Sequence, residues 1–232
     1  MRRSSTFVAV CAVAATVSAA LAVPPPAKAG AFESLYANGS DVASPRFGGV
    51  ALHQHPGSPR VLAHVGPRTL FGSPTRLAVV GASRDWLAVI SATLGNRVRG
   101  YVHRSKVHLA RNPYALEVDR SGRRLTVWRL GVRLRQVALA IGAPATPTPL
   151  GRFSVTDKLS NFWSSVYGCC VLALSGRQTR LAAGWSGGDR LAIHAGSGIG
   201  GAVSNGCLRA HSGDMRYLLA TLPLGTQVVI HD

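Results

Sequence analysis

A cysteine in a glycine turn, with a histidine upstream, is the pair in this sequence best suited to chemistry. Ile193-His194-Ala195-Gly196-Ser197 reads as a strand end, and Ser204-Asn205-Gly206-Cys207-Leu208-Arg209 follows as a loop. A free thiol has a pKa of roughly 8.5, so it needs a neighbouring imidazole to supply thiolate at neutral pH. His194 can take that proton and later give it to a departing amine. Gly206 lets the loop bend tightly, so that the amides of Asn205, Gly206 and Cys207 can point at a developing oxyanion. Losing one such donor costs about 3 kcal/mol in a transition state. A nucleophile, a base and oxyanion donors are the inventory of acyl transfer through a thiolate.

Other readings compete with this one. A cysteine beside glycine is often a small buried hydrophobe. His211, four residues beyond Cys207, is a rival base or a solvated loop residue. A zinc site from His194, Cys207 and His211 fails on spacing, because there is no second close ligand pair. No metal or organic cofactor is implied. Beyond the N-terminal leader, Cys169, Cys170 and Cys207 remain, an odd number, so at least one thiol is free or paired with another molecule. Cys169 and Cys170 would form a strained ring if bonded to each other, and both read as buried small hydrophobes. A Cys207–Cys169 disulfide would abolish the chemistry. Phe162-Trp163, Tyr167 and Trp185 line a groove or fill the core.

The elements that position these residues are mostly short strands. Val61–Val65, Thr69–Phe71, Leu77–Val80, Trp86–Ile90, Gly100–His103 and Lys106–Leu109 are separated by Gly and Pro punctuation, as in a small all-β barrel or sandwich. Arg111-Asn112-Pro113 marks a boundary. Ala115–Asp119 and Arg124–Arg129 flank a Ser121-Gly122 turn as a hairpin does. Val132–Ile141 and Leu150–Val155 are further strands. Ser212 can cap a short helix to about Leu222, and Gln227–Ile230 closes the series. Residues 30–45 are polar and weakly patterned and read as a linker.

Export sets the surroundings. Met1-Arg2-Arg3, the apolar run Phe7–Val23 and Ala27-Lys28-Ala29 read as a signal peptide over residues 1–29, with an uncleaved membrane anchor as the alternative. The full chain carries +17; without Arg2, Arg3 and Lys28 it carries +14. That charge favours anionic wall or membrane polymers as partners. Only three of the 26 basic residues are Lys, and no basic run is interleaved with aromatics, so nucleic acid is not expected.

Three motifs in order carry a family resemblance. Ala143-Pro144-Ala145-Thr146-Pro147-Thr148-Pro149-Leu150-Gly151-Arg152-Phe153, Ile193-His194-Ala195-Gly196 and Ser204-Asn205-Gly206-Cys207-Leu208-Arg209 resemble the P-T-P-x-G-x-F, I-H-G and S-x-G-C-x-R signatures of L,D-transpeptidase (YkuD-type) catalytic domains. Residues 46–111, through Phe71-Gly72-Ser73-Pro74, Asp85-Trp86-Leu87 and Gly100-Tyr101-Val102, resemble bacterial Src-homology-three-like barrels. The resemblance implies a mainly β chain: that barrel, then a catalytic β-sandwich with a short helix over residues 112–232. It implies a secreted or wall-associated monomer that acts on peptidoglycan stem peptides. Cys207 would form a thioester, the Ala195 carbonyl would orient His194, Ser204 would brace the loop, and Arg209 would meet a substrate carboxylate. Two positions depart from the family pattern. Ala195 stands where glycine is frequent, and Asn205 where histidine is frequent, which leaves His194 as the sole base. A neighbouring stem's amine as acceptor gives cross-links; water gives a carboxypeptidase or endopeptidase. An inactive wall-binding protein is the remaining alternative.

Overall fold

A computed structural model describes residues 30–160 and 165–232. Residues 1–29, expected to be a signal peptide, and the Phe162-Trp163 pair lie outside the described residues. Helix α1 (Gly30–Asn38) leads into β1 (Ser40–Pro45), β2 (Val50–His53), β3 (Val61–Val65), β4 (Leu77–Ser83), β5 (Trp86–Ile90), β6 (Gly100–His103) and β7 (Val107–Asn112). These seven strands pair in the order β3-β2-β6-β5-β4-β1-β7, every neighbour antiparallel. Alternation explains the inner face: in β6, Gly100 and Val102 are buried while Tyr101 and His103 are half-buried. Leu52, Leu87, Val89, Val102 and Val107 form its core.

The second unit contains β8 (Tyr114–Asp119), β9 (Arg124–Arg129), β10 (Val132–Ala138), β11 (Ile141–Gly142), β12 (Gly151–Ser160), β13 (Cys170–Arg177), β14 (Arg190–Ala195), β15 (Ala202–Ser204), β16 (Leu208–Ala210), α2 (Ser212–Thr221) and β17 (Gln227–His231). Eight strands pair in the order β10-β9-β8-β17-β12-β13-β14-β16, and β11 pairs with β15. Along β12 the partner changes: residues 151–154 pair with β17, and those from Val155 onward with β13. The sheet therefore turns at Val155 and wraps one core of Phe153, Leu172, Leu174, Leu191, Ile193 and Leu208. Met215 and Leu218 of α2 belong to the same core.

Several expectations are corrected. Residues 30–45 are not a linker. Phe32, Leu35 and Tyr36 share one face of α1 and pack with Ala115, Trp128 and Val229 of the second unit. Ser40–Pro45 pairs with β7 from Ser40↔Asn112 to Pro45↔Val107. Cys169 and Cys170 are bonded to each other, with Cys170 in the core and Cys169 packed against it. Burial and bonding thus coexist there, and Cys207 is the free cysteine among the described residues. Thr69–Phe71 forms a turn, closed by the Gly72 amide on the Thr69 carbonyl at 3.1 Å, with Gly72 at φ 83°. The strand expected over Val132–Ile141 breaks at Leu139 and Ala140. His211, not Ser212, occupies the cap position of α2, and its side chain makes no capping bond.

Polar contacts join the units. Thr69 Oγ1 donates to Asp157 Oδ1. Gln227 Nε2 donates to the Val79 carbonyl at 2.8 Å, and Asn112 Nδ2 to Thr226 Oγ1 at 3.0 Å. Among the described residues no helix is long and apolar enough to cross a membrane.

Candidate active site

Strands β14 and β16 run parallel, with Ile193↔Leu208, His194↔Arg209 and Ala195↔Ala210 in register. Cys207 directly precedes β16, so it stands beside Ala192 on the face that carries His194. Both residues line a cavity of about 90 Å³ together with Tyr167, Trp185, Arg190 and Arg209. His194 is buried, its Nδ1 is 2.9 Å from the Ala195 carbonyl, and the Tyr167 ring meets the imidazole edge-on at 5.0 Å. The bond to a carbonyl makes Nδ1 the protonated nitrogen and leaves Nε2 as the lone-pair site. Cys207 Sγ is 3.9 Å from the Arg190 carbonyl. No hydrogen bond joins it to the imidazole among the described residues. The structure thus brings the expected base and nucleophile to one face and one cavity.

Burial pushes the Cys207 thiol above its ordinary value; a backbone hydrogen bond at Ala192 and the Arg209 charge oppose the shift. Burial likewise pushes His194 below the usual imidazole value, the Ala195 bond opposing and the Arg209 charge adding to the fall. Arg209 lines this cavity and a neighbouring one of about 460 Å³ that Gly168, Gly196 and Ser197 border. Its guanidinium has no carboxylate partner among the described residues. His211 is exposed, just past the end of β16 at the cap position of α2.

The loop geometry explains which amides can do chemistry. Thr146 Oγ1 and the Ala143 amide donate to the Ser204 carbonyl at 3.0 and 2.8 Å. Thr148 Oγ1 donates to the Gly206 carbonyl at 2.8 Å and accepts the Gly142 amide at 2.9 Å. In a trans peptide the C=O and the following N–H point in opposite directions. Gripping the carbonyls of Ser204 and Gly206 from the 143–148 loop therefore turns the amides of Asn205 and Cys207 the other way. The intervening Gly206 amide differs from expectation: it donates to Ser204 Oγ at 3.1 Å and is committed to the loop. Ser204 Oγ also donates to the Cys207 carbonyl at 2.5 Å. Gly206 sits at φ 113°, and a Cβ there would collide with the side-chain amide of Gln178.

Sequence reasoning missed Gln178. It is buried, and its Nε2 lies 3.2 Å from the Thr146 carbonyl, 3.1 Å from Pro147 O and 3.2 Å from Asn205 O. It belongs to no motif, and only the fold shows its role. Among the described residues no cluster of His, Cys, Asp and Glu could hold a metal ion.

A lone thiol and an oriented imidazole in one cavity of a mainly β unit have the composition of a cysteine–histidine enzyme site. The family model for the L,D-transpeptidase catalytic domain (YkuD) matches residues 113–230, and the chain belongs to that family. YkuD of Bacillus licheniformis, an L,D-transpeptidase by name, is 31% identical over 118 residues, 51% of this chain and 66% of that protein. YqjB of Bacillus subtilis, likewise named, is 33% identical over 105 residues, 41% of this chain and 58% of that protein. The chain thus spans less than two thirds of the length of these relatives. Among solved structures, an L,D-transpeptidase from Mycobacterium tuberculosis is 17% identical, covering 94% of this chain and 89% of that one, with a TM-score of 0.44. One from Stackebrandtia nassauensis is 20% identical, covering 53% of this chain and 57% of that one, with a TM-score of 0.40.

Proposed function

We propose that this protein is an L,D-transpeptidase that cross-links peptidoglycan through a thioester on Cys207. The observation that carries the reading is the shared face of β14 and β16, where Cys207 and an Nδ1-anchored His194 open into one cavity. In the reaction, the Cys207 proton passes to His194 Nε2 as sulfur attacks the carbonyl between the third residue of a tetrapeptide stem and its terminal D-Ala. The amides of Asn205 and Cys207 receive the developing oxyanion. The tetrahedral intermediate collapses as His194 protonates the leaving D-Ala amine, and the side-chain amine of a neighbouring stem resolves the thioester. Arg209, which has no carboxylate partner among the described residues and stands at the junction of the two cavities, binds a substrate carboxylate.

The same reading takes residues 1–29 as an export signal and the seven-stranded unit as a Src-homology-three-like barrel. It places a monomer at the cell wall, where the +14 charge of the chain without its signal favours anionic wall polymers. The test is mass spectrometry of tetrapeptide muropeptides incubated with the protein and with Cys207→Ala. A Cys207-dependent dimer lacking one D-Ala is expected. Tripeptide monomer alone would make the protein a hydrolase, and unchanged substrate would leave a wall-binding protein.

A further inference from the structure

The catalytic loop is held from three sides, and one of the holds begins in the other unit. The 143–148 loop fixes the peptides on either side of the Asn205–Gly206 peptide. That middle peptide is pinned at one end by Ser204 Oγ on the Gly206 amide and at the other by Gln178 Nε2 on the Asn205 carbonyl. Gln178 spends two N–H groups on three carbonyls, at distances already near the long end for such bonds. A small displacement of its backbone would release all three.

That backbone is set by the Gln178 amide, which donates to the Asp189 carbonyl at 2.7 Å, and, one residue earlier, by Asn96 in the connection between β5 and β6. Its Nδ2 donates to the Arg177 carbonyl at 2.7 Å, and its Oδ1 accepts the Arg177 amide at 2.7 Å. The two bonds clamp the residue immediately before Gln178. The clamp falls where β13 most needs one, because the pairing of β13 with β14 is irregular between Ala173 and Arg177. Arg177 adds a second anchor to the same place, donating to the Ala92 carbonyl at 3.1 Å and to Asp189 at 2.7 Å.

We propose that Asn96 is a positioning residue of the second unit's active site, acting through the Arg177 main chain and Gln178 on the oxyanion amides of the Cys207 loop. The first unit is then part of the catalytic support, in addition to any wall contact it makes. The inference rests on the acyl-transfer reading of Cys207, and its test needs no stem peptide.

Two reagents separate the effects. Iodoacetamide alkylates Cys207 by displacement of iodide and develops no oxyanion. p-Nitrophenyl acetate acylates it: the S–C bond forms, the thiol proton leaves, and p-nitrophenolate departs from a tetrahedral oxyanion. In the full-length protein, Asn96→Ala is expected to lower the acylation rate about fivefold, the effect of one hydrogen bond, with alkylation unchanged. Gln178→Glu, equal in size but without donors, lowers acylation further. Thr69→Val cuts the Thr69–Asp157 bond of the same interface and is expected to leave the acylation-to-alkylation ratio unchanged. If Asn96→Ala does not fold, Asn96→Asp serves, keeping the acceptor for the Arg177 amide and losing the donor. An unchanged ratio in the Asn96 variant, or an equal fall in Thr69→Val, overturns the proposal. A wild-type protein that is alkylated but never acylated overturns the acyl-transfer reading itself.

Discussion

Cys207 and His194 rest as an uncharged pair. Desolvation acts on both in the direction that favours the neutral form, raising the thiol and lowering the imidazole. On the proposed mechanism, proton transfer to His194 then accompanies attack by the Cys207 sulfur. Alkylation of Cys207 by iodoacetamide should be slow at neutral pH and rise only above the ordinary thiol range of about 8.5. A rate already at its plateau at pH 7 would contradict the neutral pair. His194→Gln should cut acylation by about 10²–10⁴-fold while the alkaline alkylation limit holds, as the loss of a general base requires. The same shifts bear on stability. Below the ordinary imidazole range near 6.5 the unfolded His194 takes up a proton that the folded one resists, so acidification through that range should lower the melting temperature. His194→Gln should flatten that acid limb in a pH series of thermal melts.

At the scale of elements, the 143–148 loop is as much part of the site as the strand that carries His194. Thr148→Val removes the donor to the Gly206 carbonyl and the acceptor of the Gly142 amide, both buried. A loss of about 1–3 kcal/mol in denaturant unfolding is expected, together with slower acylation, because the Cys207 amide is no longer aimed. These threonines were legible in sequence as part of a motif, though their hydroxyl bonds were not. Trp86–Ile90, Gly100–His103 and Arg124–Arg129 were also legible, because β-branched and aromatic residues stood between clear turn residues. Strand β13 escaped notice for the opposite reason. Cys170–Gly176 is buried without interruption and rich in small residues, so no alternation marks it. Strand β1, Ser-Asp-Val-Ala-Ser-Pro, is too polar to announce itself and is recognised only by its pairing with β7. Gln178 was out of reach, since its carbonyl partners lie 27 to 32 residues away.

On the scale of the whole molecule, one core carries the catalytic face and a second, smaller one carries the first unit. Phe153 is 1% exposed at the point where β12 changes partner, and Gly176 passes over its ring so closely that a Cβ there would clash. Phe153→Ala should cost about 3–5 kcal/mol in chemical denaturation, a core truncation with little room to collapse. The positive charge, +14 without residues 1–29, belongs to this scale too: adsorption to isolated anionic walls should fall as salt rises, which cosedimentation at two ionic strengths would show.

Because α1 packs on the second unit and Ser40 lies beside Asn112, the first unit leaves and rejoins its neighbour at a single spot. One tether there is covalent, the chain from β7 into β8, and the other is the packing of α1 on the second unit. A protease nick between β7 and β8 would therefore leave the two pieces held by the packing of α1 on Ala115, Trp128 and Val229 and by the polar bonds between the units.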